Sequence, residues 1–264
     1  MFGRALKRTF WVFYDNLFKG IMLNIILFLL YFAVFFVMWR QKIYIPTILL
    51  IGLMWHVFTP AMMHFWIKVI RNDDRKNMFV EMWEGLKLFG LKGVGLFLIN
   101  AAAAYIVYIG NDFYKAHVSN KIFLVLGGIG VWLAFTFLLM QIYLIPIMVM
   151  DEKRRVLISY KKALIMLLSA PLASIGVIVV IAYFEILLYP VVMWLGGPQS
   201  NSILVYFTLF PVFMLPFLSL IYVILLQLNS TMLIYEKHNI MPSLKESWED
   251  KKWSNLFRPW DMKQ

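Results

Sequence analysis

Glu185 lies in the apolar run Ala182, Tyr183, Phe184, Glu185, Ile186, Leu187, Leu188. A carboxylate inside a helix that crosses a bilayer is costly and marks a polar pathway or a paired site. Counted from the outer end of its stretch, Glu185 is about ten residues in, roughly 15 Å deep at the rise of an α-helix. His56 reaches a similar depth in another apolar stretch, so a Glu185–His56 contact is expected if the two line one site. Asn100 and Gln141 are polar groups within apolar stretches that could line the same cavity. Three uses of Glu185 stay open: hydrogen-bonded glue between helices, a substrate or proton site, and a side chain reaching towards the interface. For Asn24, Asn100, Gln141, Gln227 and Asn229 the competing role is interhelical hydrogen bonding.

Other chemistry lacks its residues. There is no cysteine, which removes disulfides, thiolate metal sites and cysteine nucleophiles together. His56 and His64 are eight positions apart, off the shared face that a helical i, i+4 metal pair needs. No metal ligand set and no cofactor site is expected. Gly127, Gly128 and Gly130 lie in an apolar run with no Lys-Ser/Thr after them, so they do not form a phosphate loop. There is no Walker A motif, no Gly-x-Ser-x-Gly elbow and no nucleophile–base pair. The chain reads as a non-enzyme.

These polar residues are embedded in 264 residues that are 62% hydrophobic and 15% charged, against about 45–50% and 25% in soluble domains. The mean hydropathy is +0.76. That much apolar surface calls for lipid. A spanning helix needs about 20 apolar residues, and six stretches qualify: 20–38, 43–67, 93–110, 122–150, 163–195 and 203–235. The chain therefore reads as one all-α, polytopic membrane domain, with bends expected at Pro171, Pro190, Pro211 and Pro216. Gly90, Gly93 and Gly95, with Ala101 to Ala104, suit close packing of the third span on the glycines of the fourth. The first span is longer than a signal-peptide core and has no small-residue cleavage site in its aromatic end, so it is expected to stay attached.

Of the 25 Lys and Arg residues, 21 fall in the N-terminal segment, the second-to-third connection, the fourth-to-fifth connection and the tail. By the retention of basic residues inside, both termini are placed on the cytoplasmic side of the membrane. The net charge of +11 is spread between apolar stretches, which points to the anionic cytoplasmic leaflet rather than nucleic acid.

Cytoplasmic amphipathic interfacial helices are predicted before each odd span and in the tail. In 1–19, Leu6, Phe10, Phe13 and Leu17 form the apolar face, with Arg4, Arg8, Asp15 and Lys19 opposite. In the second, Met78, Met82, Leu86 and Phe89 oppose Glu81, Glu84 and Lys87. The third covers Val156 to Ala163. The tail helix lies within 236–264, from Ser243 to Phe257. Arg4, Lys7, Arg8, Lys19, Trp83, Glu84, Arg154 and Arg155 are the candidate lipid or partner contacts. Tyr14-Asp15-Asn16-Leu17, Trp83-Glu84-Gly85-Leu86 and Tyr160-Lys161-Lys162-Ala163 suggest three copies of an interfacial helix plus a membrane hairpin. Entry of any helix into a bilayer gives the same pattern.

The opening stretch with Tyr14, Asp15, Asn16 and Leu17, then Leu23 and Asn24, together with Thr59-Pro60-Ala61, the Phe79 to Gly90 segment and the region from Pro146 to Pro171, resembles the YesL-like family of bacterial membrane proteins. Thr59 stands where that family usually has glycine. The resemblance implies an accessory role in carbohydrate uptake beside ABC importers and assigns no residue a task. The expected function is a partner subunit of a transport system, docking on permease or ATPase subunits or on a second copy. A carrier or channel centred on Glu185 and a scaffold that binds anionic lipid are the alternatives.

Overall fold

The computed structural model describes residues 1–40, 43–71, 77–117, 121–151, 156–180, 203–238 and 240. Among them the chain is all-helical, without a strand: α1 (Phe2–Asp15), α2 (Leu17–Arg40), α3 (Tyr44–Arg71), α4 (Met78–Ala116), α5 (Lys121–Met150), α6 (Val156–Ser169), α7 (Pro171–Val180) and α8 (Ile203–Lys237). Three helices, α3, α4 and α5, are long and apolar enough to cross a membrane. The number rises to five if α1–α2 and α6–α7, bent by 91° and 100°, each count as one span. Glu185, Arg154, Arg155, Pro190 and the tail helix from Ser243 to Phe257 lie outside the described residues.

The two sharp bends have local causes. Asn16 ends α1 by donating from its backbone N–H to Phe13 O (3.2 Å) and from Nδ2 to Val12 O (3.1 Å). α2 then folds back so closely that a Cβ on Gly20 would lie 2.6 Å from the Phe13 ring. At the second bend Pro171 has no N–H to continue α6 and is well placed in the first turn of a new helix. The Ala170 carbonyl accepts from the Ser174 N–H (3.1 Å) and Oγ (3.0 Å), which starts α7. Tyr143 of α5 hydrogen-bonds to Ser174 Oγ at 2.7 Å. Replacing Tyr143 by Phe is expected to lower stability by about 0.5–1.5 kcal/mol. Thermal melting in detergent reads this directly, and a Ser174→Ala background should absorb most of the effect.

One predicted boundary needs correction. The segment 78–89 is not a separate interfacial helix, because α4 runs unbroken for 39 residues. Asn77 Oδ1 caps it from the Phe79 N–H at 3.1 Å, and at Gly85 and Gly93 its backbone packs directly on α3. No helix boundary falls at 163: α6 continues to Ser169 and the chain turns at Ala170, just before the bend expected at Pro171. In the proposed repeat, therefore, a turn comes two residues after Tyr14, ten after Tyr160 and not at all after Trp83, so the three copies do not superpose. The helix α8 runs through Pro211 and Pro216.

The core lies at the end of the bundle where α1, the C-terminal ends of α3, α5 and α8, the start of α4 and α6 meet. Trp66 and Met62 of α3, Phe89 and Leu96 of α4, Tyr143 and Leu144 of α5, and Leu225 and Leu228 of α8 are buried there. The most extensive packing is α3 on α4. It depends on Gly85 and Gly93, where an added Cβ would meet Ala61 Cα at 2.8 Å and His56 O at 2.1 Å. Gly93 therefore faces the second predicted span and not the fourth. The α5 glycine Gly127 seats the Tyr114 ring of α4, 3.2 Å from where a Cβ would be.

Candidate functional site

Three of the four predicted intramembrane polar residues meet in one hydrogen-bonded cluster, with Tyr160 as an unpredicted fourth member. Asn100 of α4 is its centre. Its Nδ2 donates to His56 Nε2 (2.8 Å) and to Gln141 Oε1 (2.9 Å). Its Oδ1 accepts from Gln141 Nε2 (3.2 Å) and from the Tyr160 hydroxyl (2.8 Å). The second Gln141 N–H goes to Phe137 O at 3.3 Å. His56 Nδ1 lies 2.7 Å from Gly52 O. A carbonyl only accepts, so Nδ1 carries the proton, Nε2 is the acceptor and the imidazole is neutral.

Two hydrogens and two lone pairs of the Asn100 amide are all used, as are both N–H groups of Gln141 and both nitrogens of His56. A cluster satisfied this completely is stable in an apolar setting and ties α3, α4, α5 and α6 together. It also leaves neither His56 nitrogen open to a further partner in this arrangement. Adding a proton at Nε2 would set N–H against the Asn100 NH₂. The Asn100 amide would then have to flip, giving up its bonds to Gln141 and Tyr160.

Of the remaining predicted glue residues, Asn24 and Asn229 join α8 to the N-terminal helices, whereas the buried Gln227 Oε1 has no hydrogen-bond partner among the described residues. Asn24 Oδ1 accepts from the Ile221 N–H at 3.0 Å, and Asn229 Nδ2 donates to Thr9 Oγ1 at 3.0 Å.

Of the predicted surface contacts, Arg4 is exposed, and Trp83 is exposed with the Lys87 ammonium 5.4 Å over its ring. Lys7 and Lys19 are half-buried. Arg8 is a correction: it is 0% exposed and pairs with Glu236 of α8 at 3.1 Å. The reason is that α1 packs on α8 with Arg8, Thr9 and Phe13 against Glu236, Asn229 and Tyr222, and its buried residues, Ala5, Arg8, Thr9, Trp11 and Phe13, share only Phe13 with the face the apolar spacing selects. Glu81, assigned to a wet face, is likewise fully buried and pairs with Lys68 of α3. Glu84 is 3.7 Å from the same ammonium. At the neighbouring junction Lys162 of α6 pairs with Asp151, which also accepts from the Tyr235 hydroxyl of α8 at 3.3 Å. Ion pairs at Arg8, Lys68 and Lys162 thus close the helix junctions at this end.

His64 of α3 faces the Glu81–Glu84 pair, and one ligand atom from each lies within 4.8 Å of the other two. These are the only three residues among those described that group as metal ligands. Sequence spacing missed them because His64 and the two glutamates belong to different helices.

The fold and the cluster define a helical protein whose longest apolar helices have the length to span a membrane. No protein-family model, curated protein or solved structure matches the chain.

Proposed function

We propose that this chain is a non-enzymatic, multi-pass protein of the bacterial plasma membrane that serves as a partner subunit of a transport system. In this reading α8 supplies the sixth span, both termini are cytoplasmic, and exposed Arg4, Lys87, Lys161 and Lys237 meet anionic headgroups. The observation that carries it is the outer half of the α4–α5 pair. Tyr105, Ile106, Val107, Tyr108 and Ile109 are consecutive and all exposed, as are Val131, Trp132 and Leu133. Consecutive helical positions point in different directions, so apart from the contact of α4 with α5 at Tyr114 and Gly127 this region is left uncovered among the described residues. A hairpin so apolar all round needs lipid or partner helices. The YesL-like resemblance supports carbohydrate uptake as the process and a permease or ATPase as the partner. Purification from native membranes in mild detergent should bring such a subunit with it; a monomer alone overturns the reading.

A second reading is favoured by the Asn100 cluster. Polar groups at membrane depth line transport pathways, and the proton-dependent flip at His56 would couple opening to protonation of a carrier that also uses Glu185. Glu185→Gln should then abolish flux in reconstituted vesicles while the protein still folds. Unchanged flux removes this reading.

A further inference from the structure

We propose that His64, Glu81 and Glu84 form a binding site for a divalent transition-metal cation of the Zn²⁺ or Mn²⁺ kind, with Lys68 as its built-in competitor. One imidazole nitrogen and two carboxylate oxygens are a ligand set that suits such ions, and the mixture comes from two helices. Glu81 and Glu84 stand at i, i+3 on α4, and His64 and Lys68 at i, i+4 on α3, so each pair shares a helix face. The two faces are held together at Gly85, where an added Cβ would be 2.8 Å from Ala61 Cα and 3.2 Å from His64 Cβ. Glu81 is fully buried, His64 is 8% exposed, and the His64 ring packs 5.7 Å from Phe89. A site on packed helices is more exact than one on loops. With the ligand atoms within 4.8 Å of each other, an ion bonded at about 2.0–2.2 Å reaches all three after small side-chain rotations.

The place already holds a cation, since the Lys68 ammonium lies against Glu81 and within 3.7 Å of Glu84. Lys68 and the two carboxylates together carry one negative charge. A divalent ion that displaces Lys68 brings the two carboxylates and neutral His64 to zero, which is the better balance for a buried cluster. Lys68 is partly exposed and its long stem allows the ammonium to move to water. Its release makes affinity depend on how well that ammonium is held.

The test uses the full chain in detergent, stripped with chelator and titrated with Zn²⁺ or Mn²⁺, with stoichiometry from elemental analysis and melting temperature as a second readout. One equivalent is expected to bind and to raise the melting temperature. Lys68→Met should bind at least about tenfold more tightly, and His64→Ala at least about tenfold more weakly. If His64→Ala does not fold, Lys68→Met still decides through its gain. The proposal is overturned by a wild-type chain that shows no saturable binding into the millimolar range, by Lys68→Met binding no more tightly, or by His64→Ala binding equally well.

Discussion

Gly93→Leu should abolish recovery of folded, monodisperse protein from membranes, whereas Gly90→Ala, less than one helical turn away, should be tolerated. A Cβ at Gly93 would lie 2.1 Å from His56 O, 2.9 Å from His56 C and 3.2 Å from Val57 Cα. All three are backbone atoms of α3, so no side-chain rotation relieves the clash and the helices must separate. Overpacking a core costs about 1–3 kcal/mol even where side chains can yield. Here the cost exceeds that range, against a total stability of about 5–15 kcal/mol for a folded domain. Separation would also pull His56 away from Asn100. At Gly90 a Cβ meets nothing within 4 Å, and removing a helical glycine gains about 0.5–1 kcal/mol. Size-exclusion profiles and melting curves of the two variants check the opposite signs. An unperturbed Gly93→Leu protein would show that α3 and α4 do not meet at this point.

Asn100→Leu is the second large effect, expected at about 2–4 kcal/mol of lost stability. The replacement is similar in size, so little of the cost is packing. Four hydrogen bonds converge on Asn100, and without it His56 Nε2, Gln141 Oε1, Gln141 Nε2 and the Tyr160 hydroxyl each lose a partner. Single hydrogen bonds between membrane helices average about 0.6 kcal/mol, so Tyr160→Phe, which deletes one, should cost well under half as much. The loss in Asn100→Leu should not add to that in Gln141→Leu, because the second variant removes groups the first has already orphaned. Thermal melting of the two single variants and the double variant measures this coupling. Strict additivity would mean that the two amides do not touch.

Both results concern contacts that the sequence announces only by type. Asn100, Gln141 and His56 stand out because a polar group within an apolar stretch needs a partner. That alone places them together as candidates, but it does not say that Asn100 is the centre or that Tyr160 completes the set. The partners of Asn100 lie 41 to 60 positions away, and which helices adjoin is a matter of topology. The same limit hid the His64, Glu81 and Glu84 group. It also misplaced Arg8 and Glu81, since helical spacing finds the apolar stripe but cannot tell a charged residue facing water from one facing an oppositely charged residue on the next helix.

Helix breaks show a finer division. The turn at Pro171 follows from the missing N–H and was foreseeable. The helix α4 passes through Gly90, Gly93 and Gly95: at Gly93 the α3 backbone leaves no room for a side chain, whereas at Gly90 and Gly95 a Cβ would meet nothing within 4 Å.

The amino-acid sequence by itself determined the helical class, the apolar lengths and the polar residues that must find partners, because these follow from backbone hydrogen bonding and transfer from water, which act residue by residue. Only the tertiary structure decided that His56, Asn100, Gln141 and Tyr160 share one network and that Arg8 and Glu81 turn inward, because such pairings depend on which helices pack side by side and at what rotation.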